Sequence, residues 1–315
     1  MHSRDRLLAL LVAVCWGLNF PATALALQHF PPLLMVALRF SLVAIPTLFL
    51  IPRPKVKLRW LLGTGLGIGV LQFAFLYLGM AAGMPAGLAS LVLQASAPFT
   101  VLLAGIFLAE RITRRQVIGI ALAVAGLATI AVHRGQTAAL LPVVLTLAGA
   151  LGWAIGNVCS RKAVAPNPFH LTLWMSVVPP LPMLAVSLLI EGPQRIAYAL
   201  STAFTVPALP AVLGLLYIVV IATLLGYGIW NTLLARYPSS SVAPFSMLVP
   251  IVGVLGSWAL FGERFDGVEA LAGVAVVGGV LIGSVPLRFR PFRRRPAGPA
   301  DAFLAPPTQG AAGRA

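Results

Sequence analysis

The sequence predicts an all-α integral membrane protein with ten transmembrane helices, arranged as two inverted repeats of five helices each. The 315-residue chain has a mean hydropathy of +0.97 and only 9% charged residues, whereas about a quarter of residues are charged in soluble domains. Ten segments are apolar over the length of about 20 residues that a bilayer core requires. The stretch from Leu88 to Leu127 also recurs, in altered form, between Ser241 and Val280.

The ten predicted spans follow one another along the chain, and each is a predominantly apolar run of helix length. They cover approximately residues 7–27, 33–52, 60–80, 86–109, 115–132, 138–157, 171–190, 208–235, 242–262 and 268–286. Most connectors are short, as antiparallel neighbouring helices require, and the longest is 191–209. Glycines recur within several spans, for example between 63 and 69, and small residues let helix backbones approach closely in lipid.

The two copies of the repeated stretch carry different charges at equivalent positions. Glu110-Arg111 in the first copy matches Glu263-Arg264 in the second, 153 residues further along the chain. Each pair is followed by a helix-capping pattern, Thr113-x-x-Gln116 and Asp266-x-x-Glu269. The first connector is rich in arginine, whereas the second is mainly acidic. Since Lys and Arg concentrate in cytoplasmic loops, the connectors are predicted on opposite sides of the membrane, an arrangement typical of transporters.

These features divide the chain into a first repeat at 5–134, a second repeat at 138–287 and a basic tail at 288–315. With a cytoplasmic N-terminus, the connector arginines and lysines fall on the cytoplasmic side, apart from Arg134, Arg195 and Arg264. This asymmetry predicts that both termini are cytoplasmic. The tail is predicted to be disordered, and its arginines either contact anionic inner-leaflet lipid or act only as an orientation signal.

The same pattern argues against several other classes of protein. The net charge of +15 lies mainly in connectors of one side, so no nucleic-acid surface is predicted. Residues 4–26 resemble a secretory signal, but cleavage there would leave four spans in the first half against five in the second. The sequence contains no metal-spaced His/Cys cluster, nucleophile elbow or paired carboxylates, so we predict no enzyme activity, metal or cofactor. The oligomeric state is left open.

Ionisable residues are nearly absent from the interiors of the predicted spans. No Asp, Glu or Lys lies there, which argues against the carboxylate relay common in proton-coupled exporters of cationic drugs. Arg39 is the exception, and an arginine within a span costs roughly 2.5–3.5 kcal/mol on insertion scales. Its planar guanidinium is predicted to bind a substrate carboxylate. The alternative is that Arg39 snorkels toward the interface, about two turns from the start of its helix.

The other candidate substrate-binding residues are neutral polar or aromatic side chains within the spans. They are Trp16, Asn19, Gln72, Tyr77, Gln94, Trp153, Asn157, Tyr227 and Asn231. Amide groups and aromatic walls suit a small zwitterion, while interhelical hydrogen bonds and interfacial belts are the alternatives. Pro98 and Pro250 are predicted helix kinks at comparable positions of the two halves, which is typical of a midplane binding site. Simple bending without a substrate role is the alternative.

Several short motifs together indicate a family. They are 16–20 (WGLNF), 32–40 (PLLMVALRF), 53–56 (RPKV), 83–94 (GMPAGLASLVLQ), 110–111 (ER), 226–230 (GYGIW), 243–246 (APFS) and 248–253 (LVPIVG). These motifs resemble the drug/metabolite transporter superfamily, in its ten-helix EamA-type branch, and are most similar to bacterial exporters of O-acetylserine and cysteine. The resemblance covers roughly residues 5 to 290 and is weakest between about 160 and 210.

The resemblance implies a transporter of the bacterial inner membrane that exports cysteine-pathway amino acids by alternating access at a midplane cavity. Without an intramembrane carboxylate, facilitated efflux is at least as consistent with the sequence as proton antiport. Other readings stay open at this point: an exporter of another small metabolite within the same superfamily, a non-transporting membrane scaffold, or a membrane enzyme.

Overall fold

The computed structural model describes residues 1–137, 140–237 and 239–284, and the predicted tail at 288–315 lies outside this description. Apart from the single helical turn Ser239–Val242, the described residues form eleven helices: α1 (Ser3–Leu27), α2 (Pro32–Leu50), α3 (Leu58–Ala81), α4 (Ala86–Leu108), α5 (Arg114–Thr137), α6 (Leu141–Ala163), α7 (Pro168–Ile190), α8 (Pro193–Ser201), α9 (Val206–Arg236), α10 (Pro244–Phe261) and α11 (Gly267–Ser284). Nine of them are long and apolar enough to cross a membrane, and α11 is a slightly shorter apolar helix. This confirms the predicted all-α, ten-helix membrane fold.

One helix, α8, is additional to the ten predicted spans and lies within 191–209, which the sequence predicts only as a connector. Pro193 occupies the first turn of α8, where its missing N–H has no cost and its fixed φ favours the helix. Ile196 and Ala199 are buried, and a ring nitrogen of His29 lies 2.9 Å from the carbonyl oxygen of Ala199. The connector is therefore a short amphipathic helix that contacts the connector between α1 and α2.

Departures from regular α-helix occur in comparable helices of the two halves. α3 is π-helical at Gly65–Gln72, and α9 is π-helical at Tyr217–Leu225. A 3₁₀ turn interrupts α4 at Leu93–Ala95, and another at Ala243–Leu248 overlaps the start of α10. α7, predicted as one continuous span, is broken at 176–179. Such interruptions change which side chains face the bundle interior and often accompany functional sites.

Polar contacts between helix ends sort the connectors onto two faces of the bundle. On the terminal face, which carries the start of α1 and the end of α9, Tyr237 donates to Asp5 (2.6 Å). Arg161 and Glu110 form an ion pair on the same face. On the distal face, the carboxylate of Glu191 accepts from two backbone N–H groups at the start of α2 (2.7 and 2.9 Å). In each contact, the two helix ends lie on the same side of the bundle, as expected if ten helices cross the membrane in alternating directions.

The counterpart helices α5 and α11 pack against each other through small residues. A Cβ on Gly119 would collide with the carbonyl oxygen of Gly279, and a Cβ on Gly279 with that of Gly119. A Cβ on Gly126 would lie 2.7 Å from the carbonyl oxygen of Ala272. The offset of 153 residues between the repeats maps Gly119 onto Ala272 and Gly126 onto Gly279. The contact between Gly119 and Gly279 is therefore equivalent to the contact between Ala272 and Gly126. The two helices therefore run antiparallel about a pseudo-two-fold axis, which confirms the inverted repeat.

Both predicted helix caps form in the connectors of the two copies. Thr113 and Gln116 cap reciprocally: the Thr113 N–H donates to Gln116 Oε1 (2.8 Å), and the Gln116 N–H donates to Thr113 Oγ1 (3.3 Å). At the start of α11, the Glu269 N–H donates to Asp266 Oδ1 (2.8 Å). This backbone hydrogen bond holds the pKa of Asp266 below its usual value, with help from His133. The caps fix where α5 and α11 begin.

Candidate binding cavity

A cavity of about 610 Å³ lies between α1–α4, α6, α7, α9 and α10, so both halves of the chain enclose it. Nine of the ten predicted site residues line this cavity: Trp16, Asn19, Arg39, Gln72, Gln94, Trp153, Asn157, Tyr227 and Asn231. The tenth, Tyr77, is completely buried and contacts Arg39 from outside the cavity wall. No Asp, Glu, Lys or His of the described chain lines the cavity. Its charge therefore comes from Arg39.

Arg39 is held in the middle of α2 by three contacts and is only 4% exposed. Its Nη1 donates to Tyr77 Oη (2.8 Å), and its Nη2 donates to Thr223 Oγ1 (3.2 Å). The guanidinium carbon lies 3.8 Å from the centroid of the Phe73 ring, a cation–π geometry. No carboxylate of the described residues pairs with Arg39. The side chain is thus a fixed positive charge directed into the bundle.

Two of the groups that position Arg39 lie in or directly after a π-helical segment. Thr223 lies in the π-helical part of α9, and its hydroxyl donates to the carbonyl oxygen of Ile218, five residues earlier (2.8 Å). The hydroxyl oxygen remains able to accept from Arg39. Phe73 directly follows the π-helical part of α3. Sequence reasoning did not identify Thr223 or Phe73; the signal for Thr223 was a lone threonine in the apolar run 218–225.

An aromatic cluster forms the wall between α1 and α9. The Trp16 ring lies 5.1 Å, centroid to centroid, from both Tyr227 and Trp230. The Trp16 indole N–H donates to the carbonyl oxygen of Ala222 (2.9 Å). The ring is therefore held by a hydrogen bond as well as by its aromatic contacts. A Cβ at Gly226 would lie 2.7 Å from Trp16 Nε1. The glycine in the 226–230 motif therefore permits the tryptophan to pack closely against α9.

Some of the predicted amides are already hydrogen-bonded within the protein. Trp153 Nε1 donates to Asn157 Oδ1 (3.1 Å), and Asn157 Nδ2 donates to Thr100 Oγ1 (3.3 Å). Asn231 Nδ2 donates to the carbonyl oxygen of Tyr227 on its own helix (2.8 Å). These bonds correspond to the structural role that polar residues commonly have in membrane helices. They still leave part of each side chain on the cavity wall.

The predicted kinks lie beside the cavity at comparable places in the two halves. Pro98 follows the 3₁₀ turn of α4, and Pro250 follows the 3₁₀ turn of α10. Gln94 and Met247, which the repeat offset exchanges, meet between these turns with 4.0 Å between Nε2 and Sδ. Neither proline is on the cavity wall. They belong to the interruptions that bring α4 and α10 together, and not to the lining.

The cavity extends to the terminal face and ends before the distal face. Ser160 and Leu234, near the terminal ends of α6 and α9, are part of its lining. Toward the distal face, the start of α4 is tied to the end of α10. There the Glu263 carboxylate accepts from the N–H groups of Ala86 (2.9 Å) and Gly87 (3.0 Å). A carboxylate at a helix N-terminus is electrostatically favourable, so this contact stabilises closure of the distal end.

Known proteins similar to this chain agree with the architecture. The model of the EamA-like transporter family matches residues 6–132 and 140–285. Proteins described as a probable amino-acid metabolite efflux pump are 45% identical in Salmonella typhimurium and 43% identical in Escherichia coli, each alignment covering 92% of this chain and 98% of the relative. A crystal structure of another protein has a TM-score of 0.58 at 17% identity, covering 90% of this chain and 96% of that one, and shows a shared fold. The chain therefore belongs to the EamA-like transporter family and is a multi-pass membrane transporter.

Proposed function

We propose that the protein exports small amino-acid metabolites of the cysteine and O-acetylserine type across the bacterial inner membrane. The observation that carries this proposal is the buried guanidinium of Arg39, which lines the cavity without a carboxylate partner among the described residues. A guanidinium binds a carboxylate through charge-assisted hydrogen bonds, and every free amino acid carries one. The names of the relatives in Salmonella typhimurium and Escherichia coli support the same class of substrate.

The rest of the cavity favours a short side chain without a positive charge. A volume of about 610 Å³ accommodates a small amino acid together with water. Because none of the described lining residues is a carboxylate, they offer no counter-charge to a polyamine or a cationic dye. The aromatic wall at Trp16 and the amide of Asn157 suit a thiol or an acetyl ester, since binding sites combine apolar walls with a few placed polar groups.

The two ends of the cavity are consistent with export. With the terminal face in the cytoplasm, as the arginine-rich connectors favour, the described conformation takes up substrate from inside while the Glu263 contact closes the distal end. Rocking of the two inverted halves about the site would then open the distal end, as in other transporters built from inverted repeats. None of the described residues lining the cavity is a carboxylate that could exchange a proton for substrate, so facilitated efflux is at least as consistent with the cavity as proton antiport.

The proposal is tested by counterflow in proteoliposomes that contain the purified protein. Vesicles preloaded with unlabelled cysteine should accumulate radiolabelled cysteine from outside, and external O-acetylserine should compete with it. Protein-free vesicles provide the background. Spermidine and a cationic dye should neither be transported nor compete. Transport of the dye without any counterflow of cysteine or O-acetylserine would overturn the proposed substrate class.

A further inference from the structure

Buried polar atoms without a partner gather at the cavity. Four buried side-chain nitrogen or oxygen atoms of the described residues make no hydrogen bond, and three of them belong to cavity-lining residues: Asn19 Oδ1, Gln72 Oε1 and Arg39 Nε. The fourth, Ser257 Oγ, belongs to α10 outside the lining. Leaving a buried polar atom unpaired is unfavourable because its hydrogen bonds to water are lost without replacement, and native proteins leave few such atoms. Their concentration here indicates groups reserved for a ligand.

The three atoms have complementary chemistry. Arg39 Nε is a donor with a positive charge, whereas the two amide oxygens are acceptors. A ligand that satisfies all three must carry an anion that accepts and a separate group that donates. An ammonium group has three donors and a positive charge, and a carboxylate is the natural partner of a guanidinium. An α-amino acid carries both groups on a single carbon atom.

Gln72 adjoins a residue that contacts Arg39, and Asn19 lies one helical turn from Trp16, which bonds beside another. Gln72 immediately precedes Phe73, whose ring lies under the guanidinium, and Gln72 itself is 2% exposed. Asn19 follows Trp16 by one helical turn, and the Trp16 indole bonds the carbonyl of residue 222, the neighbour of Thr223. Thr223 in turn accepts from Arg39.

Both amides also lie at interruptions of their helices. Gln72 ends the π-helical segment Gly65–Gln72 of α3. Asn19 begins the second part of α1, after a break at Leu18. An interruption of a helix changes the direction in which the neighbouring side chains project and often accompanies a functional site.

We propose that the amide oxygens of Asn19 and Gln72 together accept the α-ammonium group of the substrate. This inference rests on the proposed function, because it assumes that the carboxylate lies at Arg39. It makes the two amides specificity-determining residues for a free amino group. N-acylated amino acids retain the carboxylate, yet they have no positive charge and a single N–H on the acylated nitrogen. The cavity should therefore exclude them whatever their side chain.

O-acetylserine and N-acetylserine test this directly, since they are isomers that differ in which atom carries the acetyl group. In the cysteine counterflow assay, O-acetylserine should compete at a concentration at least about tenfold lower than N-acetylserine, because hydrogen bonds to a charged group are stronger than those between neutral groups. Equal competition by the two isomers in the native protein would overturn the ammonium contact. This comparison requires no variant and does not depend on how a variant folds.

Two variants then assign the discrimination to the amides. Asn19→Leu and Gln72→Met keep the side-chain size but remove the oxygen, so each should weaken competition by O-acetylserine about tenfold and leave competition by N-acetylserine unchanged. Gln28→Met, a matched change of an exposed glutamine outside the cavity, should alter neither. Variants that retain full discrimination between the isomers would overturn the assignment.

The outcomes separate this inference from the function on which it rests. Counterflow of cysteine without discrimination between the isomers leaves the exporter proposal in place and removes the ammonium contact. Absence of cysteine counterflow removes both. Melting temperatures of the purified variants show whether any loss of competition reflects misfolding, since a change in recognition alone leaves the melting temperature near that of the native protein.

Discussion

At the scale of single residues, Arg39 combines a high cost of burial with a limited set of partners. Removing a guanidinium from water costs several kcal/mol. Hydrogen bonds to Tyr77 and Thr223 and the ring of Phe73 offset part of this cost, and a desolvated cation–π contact contributes about 2 kcal/mol. No carboxylate of the described residues completes the compensation. A bound carboxylate would do so, which is why the residue is expected to serve binding more than stability.

Substitution of Arg39 should therefore separate transport from folding. Arg39→Lys keeps the charge but loses the planar fork and its double hydrogen bonding, and Arg39→Gln loses the charge. Both variants should reduce cysteine counterflow at least about tenfold, while the yield and melting temperature of the purified protein change little. Arg236→Gln, at the terminal face outside the cavity, serves as the control. Undiminished counterflow by both Arg39 variants would remove this residue from the binding site.

At the scale of elements, the two equivalent glutamates of the repeat have different partners. Glu263 accepts from the N–H groups of Ala86 and Gly87 at the start of α4. Glu110, its counterpart 153 residues earlier, instead pairs with Arg161. The distal end of the cavity is the end that carries the helix cap, and it is closed. The glutamate that caps a helix, Glu263, thus lies at the closed end of the cavity, and the glutamate that forms an ion pair, Glu110, lies at the open end.

Loss of the Glu263 charge should open the distal end. A carboxylate at a helix N-terminus contributes about 1–2 kcal/mol in a partly buried position, so Glu263→Gln should shift the conformational equilibrium severalfold. The measurement uses Ser90→Cys, a cavity-lining position close to α10, in a background without Cys15 and Cys159. A membrane-impermeant maleimide added outside intact cells should label Ser90→Cys faster when Glu263→Gln is present.

The equivalent change on the other face provides the matched control. Glu110→Gln removes the pair with Arg161 but no contact at the distal end, so labelling of Ser90→Cys from outside should not increase. If Glu263→Gln and Glu110→Gln accelerate labelling equally, or if neither does, the cap does not control closure of the distal end.

At the scale of the whole molecule, the inverted repeat determines the topology. α5 and α11 cross antiparallel through Gly119 and Gly279, so the connectors that precede them lie on opposite faces. The connector before α5 is rich in arginine, and the one before α11 is mainly acidic. From the distribution of positive charges we predict that the terminal face, and with it the open end of the cavity, lies in the cytoplasm.

Cysteine labelling tests this orientation. Arg114, at the start of α5, and Arg264, in the connector before α11, are both exposed, and each is replaced by cysteine in a protein that lacks Cys15 and Cys159. A membrane-impermeant reagent should label Arg264→Cys in intact cells and Arg114→Cys only in inside-out vesicles. Labelling of both from the same side would contradict the topology, whereas exchange of the two sides would reverse the proposed direction of the open cavity.

The sequence by itself determined the features that depend on local chemistry and on internal comparison. Apolar runs located ten spans, the Thr113 and Asp266 patterns located two helix starts, and the repeat located the opposed connectors. Nine of ten proposed site residues line the cavity, because a polar side chain in an apolar span has few favourable positions other than the bundle interior.

Only the tertiary structure decided which of these residues meet. Thr223 and Phe73 contact Arg39 because two π-helical segments change the facing of α9 and α3, and an apolar run gives no periodic signal for such a segment. Tyr77, which follows the π-helical segment of α3, bonds to Arg39 from outside the cavity. The sequence also could not predict which end of the cavity is closed. Glu263 bonds to backbone N–H groups 176 and 177 residues away, and nearly every residue type has such a group, so no sequence pattern identifies them.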